Sequence, residues 1–211
     1  MTSHTPDRVG AVVLAGGSSR RMGASKATLD WGGRPLVCHV SALLVESVGG
    51  PVVVAAAPNQ ELPKLPDGVR VARDARAARG PLEGVAAGML ALANEVDLVF
   101  VSTVDAPLLR PELVSLLLRS LTAQDEIAVP IVGGQSYPLT AAWRLTALAA
   151  IRRSLEADRL RVKDLLELCV TRFVDEEQLR AVDPNLDSLR NLNDPDAYRK
   201  AVRAADGRSS L

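Results

Sequence analysis

Leu14-Ala15-Gly16-Gly17-Ser18-Ser19-Arg20-Arg21-Met22-Gly23-Ala24-Ser25-Lys26 is the stretch on which the fold turns. It follows Val9-Gly10-Ala11-Val12-Val13, an apolar run rich in valine that reads as a buried strand. A strand that breaks into paired glycines exposes backbone N–H groups at its carboxyl end, and without a Cβ in the way phosphate oxygens can approach them closely. Arg20, Arg21 and Lys26 add positive charge beside the same turn. Small residues, open amides and cations together suit a polyphosphate. Two better-known phosphate templates fail. Five residues separate Gly17 from Gly23, and Lys26 comes three positions later, so the pattern G-x-x-x-x-G-K-[ST] is absent. Gly16 and Gly17 are adjacent, so G-x-G-x-x-G is absent too, which disfavours a dehydrogenase.

Working outward, Asp30-Trp31-Gly32-Gly33-Arg34-Pro35 is a turn whose proline suits a first helical position. Val37, Val40, Leu44 and Val48 then recur at helical spacing, and Gly49-Gly50 ends the helix. Val52 to Ala56 is a short apolar strand, and the proline-rich segment 58–68 is a loop with one helical turn. Val69-Arg70-Val71 is a further strand leading to Asp74, and Glu83 to Ala93 carries helix formers. Leu98-Val99-Phe100-Val101 is the clearest buried strand. It runs into Asp105-Ala106-Pro107, and Pro111 opens a helix with Val114, Leu117, Leu118 and Leu121 on one side. This alternation predicts a three-layer α/β/α, Rossmann-like, mainly parallel sheet. In such sheets ligands sit outside the carboxyl ends of the strands. The glycine turn, Asp74 and Asp105 all fall at such ends and are expected to converge. In the second half, Ile127 to Val132 and Pro138 to Trp143 read as two strands around Gly133-Gly134, an antiparallel excursion. Helices follow on Leu148, Ile151 and Leu155 and on Val162, Leu165, Leu166 and Cys169, then a strand at Thr171 to Val174 and a helix from Pro195 to Ala205.

With 211 residues the chain suits one domain over 1–211 that buries roughly 70% of its unfolded surface, with 1–8 and 206–211 as flexible ends. A hydrophobic content of 47% argues against general disorder. A formal net charge of zero argues against nucleic acid or an anionic membrane as partner. Cys38 and Cys169 are the only cysteines and cannot build a disulfide framework or a zinc site of the usual spacing. No apolar run of signal-peptide or membrane-span type is visible, so a soluble cytoplasmic protein is expected.

Asp105 lies just past a buried strand and is fixed by Pro107, a placement suited to holding Mg²⁺ against phosphates. That ion prefers oxygen ligands and usually takes one or two from protein. The plainer alternative is an Asx turn before proline. In Asn191-Leu192-Asn193-Asp194-Pro195, Asp194 is a natural helix N-cap, a task that leaves Asn191 and Asn193 unexplained. Arg159, Arg161 and Lys163 are basic and read first as a solvated face. With His4 near the terminus and His39 expected to pack on a helix, no Ser/His/Asp machinery is visible. Gly134-Gln135-Ser136-Tyr137-Pro138 also lacks the G-x-S-x-G elbow.

The thirteen-residue stretch resembles the L-A-G-G-x-x-x-R-M-G-x-x-K signature of the molybdenum cofactor guanylyltransferases and their nucleotidyltransferase relatives. Leu14, Ala15, Gly16, Gly17, Arg21, Met22, Gly23 and Lys26 stand at its specified positions. The likeness continues more weakly almost to the C-terminus. It implies a nucleotide-diphospho-sugar transferase-like fold and transfer of GMP from GTP to the terminal phosphate of molybdopterin, with Mg²⁺ and release of pyrophosphate. By the same resemblance, Arg21, Lys26 and Asp105 are catalytic. Leu14, Ala15, Gly16, Gly17, Lys26, Asp74, Pro81, Leu82, Gly84 and Asp105 line the nucleotide. Asp105 and Asn193 hold the metal, Arg161, Asn191 and Asn193 meet the acceptor, and molybdoenzyme-maturation proteins are partners. Two positions depart from relatives: Ala55 stands where some guanylyltransferases carry an Asn that touches the nucleotide, and Tyr137 where a His often precedes proline. The alternatives are a molybdopterin cytidylyltransferase using CTP, a sugar- or polyol-phosphate nucleotidyltransferase, and a non-catalytic nucleotide-binding regulator.

Overall fold

Alternate residues of the central strands point to opposite sides, and both sides are apolar, so each strand must be covered twice. Ala11, Val13, Val52, Val54 and Phe100 enter one core, and Val12, Leu14, Val53, Val99 and Val101 enter another. The computed structural model describes residues 7–16, 25–74, 79–192 and 194–206. Among these, strand β1 (Val9–Leu14) leads through a small hairpin, β2 (Asp30–Trp31) and β3 (Arg34–Pro35), into helix α1 (Leu36–Val48). Then come β4 (Val52–Ala56), β5 (Arg70–Arg73), α2 (Pro81–Leu92), β6 (Leu98–Thr103) and α3 (Pro111–Ser120). The second half holds β7 (Ile127–Val132), β8 (Gln135–Ser136), β9 (Ala141–Arg144), α4 (Leu148–Glu156) and α5 (Val162–Leu168). It ends with β10 (Thr171–Val174), α6 (Glu176–Val182) and α7 (Pro195–Asp206).

The sheet runs in the order β5-β4-β1-β6-β9-β7-β10, with β8 pairing on β7. β1 is parallel to both β4 and β6, β4 to β5, and β7 to β10, while β9 is antiparallel to both its neighbours. Leu36, Val40 and Leu44 of α1, Leu113 and Leu117 of α3 and Leu179 of α6 cover one face. Leu82, Val85 and Met89 of α2, Ile151 of α4 and Leu165 of α5 cover the other. The expected three-layer mixed sheet is therefore present.

Local differences have physical causes. Pro35 closes the β2–β3 hairpin, and α1 starts one residue later at Leu36. Segment 58–68 holds turns but no helical turn. Gly133 and Gly134, with φ of 54° and 78°, form the two-residue connection from β7 to Gln135–Ser136. The strand expected at Pro138 therefore begins only at Ala141, after Trp143 Nε1 has donated to the Pro138 carbonyl at 3.3 Å. Helix α6 went unpredicted, although Asp175-x-x-Gln178 carries the signal of a reciprocal capping box. Gln178 N–H donates to Asp175 Oδ1 at 2.9 Å, and Asp175 N–H to Gln178 Oε1 at 3.4 Å.

Helix α2 lies unusually close to β1 because glycines face the strand. A Cβ built at Gly88 would stand 2.5 Å from Val12 Cγ1, and one at Gly84 3.0 Å from Leu14 Cδ2. That approach brings the N-terminus of α2 to the end of β1. Gly88→Val should cost about 1–3 kcal/mol by overpacking, read as a lowered midpoint in urea unfolding. An unchanged midpoint would mean that the helix can lift off the strand freely.

Candidate nucleotide site

Three strand ends meet at the carboxyl edge of the sheet. β1 delivers Leu14, Ala15 and Gly16, β5 delivers Asp74, and β6 delivers Asp105. Ala15 N–H donates to the Ala55 carbonyl at 2.8 Å, Asp74 N–H to the Ala56 carbonyl at 3.0 Å and Val104 N–H to the Leu14 carbonyl at 3.0 Å. These bonds carry the ladder one step past each strand and hold the ends in register. Beside them opens a cleft of about 650 Å³, walled by small and apolar residues that include Leu14, Gly16, Ala55, Ala57, Pro81 and Gly84. Asp74, Gln60, Ser25 and Arg79 bring polar groups to it.

Lys26 and Asp105, 79 positions apart, form an ion pair with Nζ 2.8 Å from Oδ2. Lys26 stands at the start of a single 3-10 turn, Lys26–Thr28, tied down by Thr28 N–H and Thr28 Oγ1, both donating to the Ser25 carbonyl. Asp105 is buried, and its Oδ1 accepts from Thr103 Oγ1 at 2.6 Å. A carboxylate supported by a hydroxyl is an all-oxygen donor set, and it fits Mg²⁺, which takes few protein ligands.

Asp74 lines the cleft beside Gly16 and Gly84. A Cβ at Gly16 would stand 3.6 Å from Asp74 Oδ2, and one at Gly84 3.5 Å from its Oδ1. Asp74 Oδ1 is buried without a hydrogen-bond partner among the described residues. Burial, with the nearby charge of Glu83, pushes this carboxyl up to about 6. Glu83, in the first turn of α2, is itself buried with Oε2 unpartnered. Unsatisfied buried acceptors are costly, and they recur where a ligand completes them.

The expected site residues divide clearly. Leu14, Gly16, Asp74, Pro81 and Gly84 line the cleft; Ala15, Lys26 and Asp105 stand at the adjoining ends of β1 and β6 without lining it, and Leu82 is fully buried in the core of α2. Gly17, Arg21 and Asn193 lie outside the described residues. Asn191 is exposed, and its neighbour Leu192 is buried with its N–H donating to the Asp105 carbonyl at 2.9 Å, so this segment is fastened to the site. Asp194 has the expected capping geometry, its Oδ1 accepting from Asp196 N–H at 3.4 Å. Arg161 is exposed before α5, next to Leu160, whose carbonyl would lie 3.9 Å from a Cβ on Gly80. Among the described residues it is a rim residue rather than part of the cleft wall. His39 packs as expected. Its ring stacks tilted on Trp31, Nε2–H donates to the Pro107 carbonyl at 2.9 Å, Nδ1 accepts from Arg34 at 2.6 Å, and burial lowers its pKa.

Sequence reading missed Gln60, Arg79 and Glu83. Arg79 Nη2 donates to the Leu155 carbonyl at 2.8 Å and pairs with Asp158 at 2.7 Å, pinning the chain just before Gly80. Gln60 and Arg79 sit in no motif and reach the cleft only through the fold, while Glu83, between Leu82 and Gly84, lies close enough to Asp74 to act on its charge.

The architecture matches solved structures of the nucleotide-diphospho-sugar transferase-like fold. Molybdopterin-guanine dinucleotide biosynthesis protein A from Archaeoglobus fulgidus superposes with a TM-score of 0.76 at 22% identity, covering 94% of this chain and 99% of its own. The 2-C-methyl-D-erythritol 4-phosphate cytidylyltransferase of Thermus thermophilus does so at 0.68 and 20%, covering 93% and 98%. Residues 11–173 match the MobA-like NTP transferase domain, and the chain belongs to that family. A probable molybdenum cofactor guanylyltransferase of Pelotomaculum thermopropionicum is 34% identical over 94% of both chains. A probable enzyme of the same name from Mycobacterium tuberculosis is 42% identical over 76% of both.

The raised carboxyl of Asp74 has a sign that can be tested. Its proton is held to about pH 6 in the folded chain, against 3.8 ordinarily. Stability is therefore lost as pH climbs through that interval and stays lower above it. Asp74→Asn should melt higher than the parent at pH 7.5, with the gap closing toward pH 4, while nucleotide affinity falls. A gap that widens on acidification would contradict the assignment.

Proposed function

We propose that the protein transfers GMP from GTP to the terminal phosphate of molybdopterin, releasing pyrophosphate and forming the guanine dinucleotide form of the cofactor. The observation that carries this reading is the Lys26–Asp105 pair at 2.8 Å beside a cleft walled by Gly16 and Asp74. Relatives up to 42% identical are named for the guanylyl reaction, which supports the choice of nucleotide and acceptor.

In this reaction an oxygen of the acceptor phosphate attacks the α-phosphorus in line, and the bond from that phosphorus to the bridging oxygen breaks. Negative charge shifts toward the pyrophosphate oxygens, so the protein's main work is orientation and electrostatic stabilisation. Lys26 neutralises phosphate charge, Gly16 lets the backbone approach, and Arg21 is assigned beside them from the signature. Asp105 would hold Mg²⁺, with Asn193 as its second protein oxygen. When bound, that ion would neutralise the phosphate oxygens and steady the leaving group. The unpartnered Asp74 oxygen supports guanine, whose N1–H and N2 amino group offer adjacent donors, whereas the corresponding edge of cytosine offers one amino group. Asn191 and Arg161 are assigned to the acceptor. The two cysteines are buried free thiols, which suits the reducing cytoplasm where we assign the reaction.

Four labelled nucleoside triphosphates incubated with purified molybdopterin and Mg²⁺ test the assignment. GTP should be transferred and CTP should not. Transfer from CTP alone would replace guanylyl by cytidylyl chemistry, and release of no pyrophosphate from any of them would leave a binding protein. Asp105→Asn should lower turnover by roughly a hundredfold or more with the fold intact; normal magnesium-dependent turnover would remove Asp105 from the site.

A further inference from the structure

Gln60 lies in the loop after β4, where no motif marks it, yet its side-chain amide touches three separate pieces of the site. Nε2 donates to the Ala15 carbonyl at 2.8 Å and to Ser25 Oγ at 3.3 Å. Oε1 accepts from Ala57 N–H at 3.2 Å. One planar group thus joins the residue before Gly16, the residue before Lys26 and the end of β4. Its own loop is held in turn. Gln60 N–H donates to the Ala57 carbonyl at 3.1 Å, and Arg73 Nη1 donates to the carbonyls of Ala57 and Gln60 at 3.0 and 2.7 Å. The bracket is therefore anchored on β5 as well.

The two residues it fixes are adjacent to the two groups a triphosphate needs. Ala15 precedes the open backbone of Gly16, and Ser25 precedes the ammonium of Lys26. Ten positions of chain separate Ala15 from Ser25. Orientation of binding groups before the ligand arrives is what preorganisation supplies, because the ordering cost is then not charged to binding.

We infer that Gln60 is a positioning residue. It acts through Ala15 and Ser25 to hold Gly16 and Lys26 at the separation that receives the phosphates of the nucleotide. This rests on the nucleotidyl-transfer reading of the same cleft. The role differs from a contact to the base, because both Nε2 bonds are made to protein atoms.

The test measures affinity for GTP and for guanosine in the parent chain, in Gln60→Ala and in the near-isosteric Gln60→Glu, which keeps the volume but removes the donor. GTP affinity should fall about tenfold in both variants, as expected for the loss of part-buried hydrogen bonds, while guanosine affinity stays within about twofold. In steady state KM for GTP should rise by the same factor with kcat nearly constant. Ser25→Ala, which removes one of the two acceptors, should show a smaller loss of the same kind. Equal losses for GTP and guanosine would mean a general structural role or a base contact and would overturn the inference, as would no loss at all. Failure of the parent chain to bind GTP would instead refute the guanylyl reading. The same comparison would then be made with whichever triphosphate binds and its nucleoside.

Discussion

Everything at the active edge of this molecule depends on an ammonium and a carboxylate brought to 2.8 Å across 79 positions of sequence. Neither residue could hold that place alone. Lys26 needs the 3-10 turn that fixes Ser25, and Asp105 needs both the Thr103 hydroxyl and the Leu192 amide that fastens the C-terminal segment behind it. Beneath both lies the pairing of β1 with β6, in register from Val9 with Leu98 to Leu14 with Thr103. A slip of one residue in that pairing would turn every side chain of one strand to the other face and carry the two charges apart.

The parallel core makes such a slip costly. Because both faces of β1, β4 and β6 are apolar and covered by helices, register is set by packing on two sides at once. The close seat of α2 on β1 at Gly84 and Gly88 adds a third constraint, and it carries Gly80 and Pro81 to the rim of the cleft. The site keeps local costs that this frame tolerates. Glu83 is buried and Asp74 half-buried near it, each with one oxygen unpartnered among the described residues, an arrangement that weakens the free protein and suits a donor-bearing ligand.

Much of this was legible in the chain itself. The valine-rich runs announced β1, β4 and β6, and the strand–helix alternation announced the parallel sheet. Convergence of Gly16, Asp74 and Asp105 follows from that topology, since each lies at the carboxyl end of a strand. What could not be read depends on distance through space. Gln60 looks like an ordinary loop glutamine, and its importance comes only from the meeting of three strand ends. Glu83 looks like a favourable acid in a first helical turn, and nothing in its neighbours foretells a buried carboxylate beside Asp74. The strand expected from Pro138 begins only at Ala141 for a local reason: Gly133-Gly134 closes a tight hairpin onto Gln135, and the chain must turn again before β9 can insert between β6 and β7.

The measurement that bears most directly on this picture is a crystal structure with a non-hydrolysable GTP analogue and Mg²⁺ bound. The account predicts the triphosphate at the end of β1, with its oxygens on the Lys26 ammonium, the metal on the Asp105 carboxylate and the nucleoside against Asp74. A nucleotide bound elsewhere on the molecule, with the Lys26–Asp105 pair untouched by it, would contradict it.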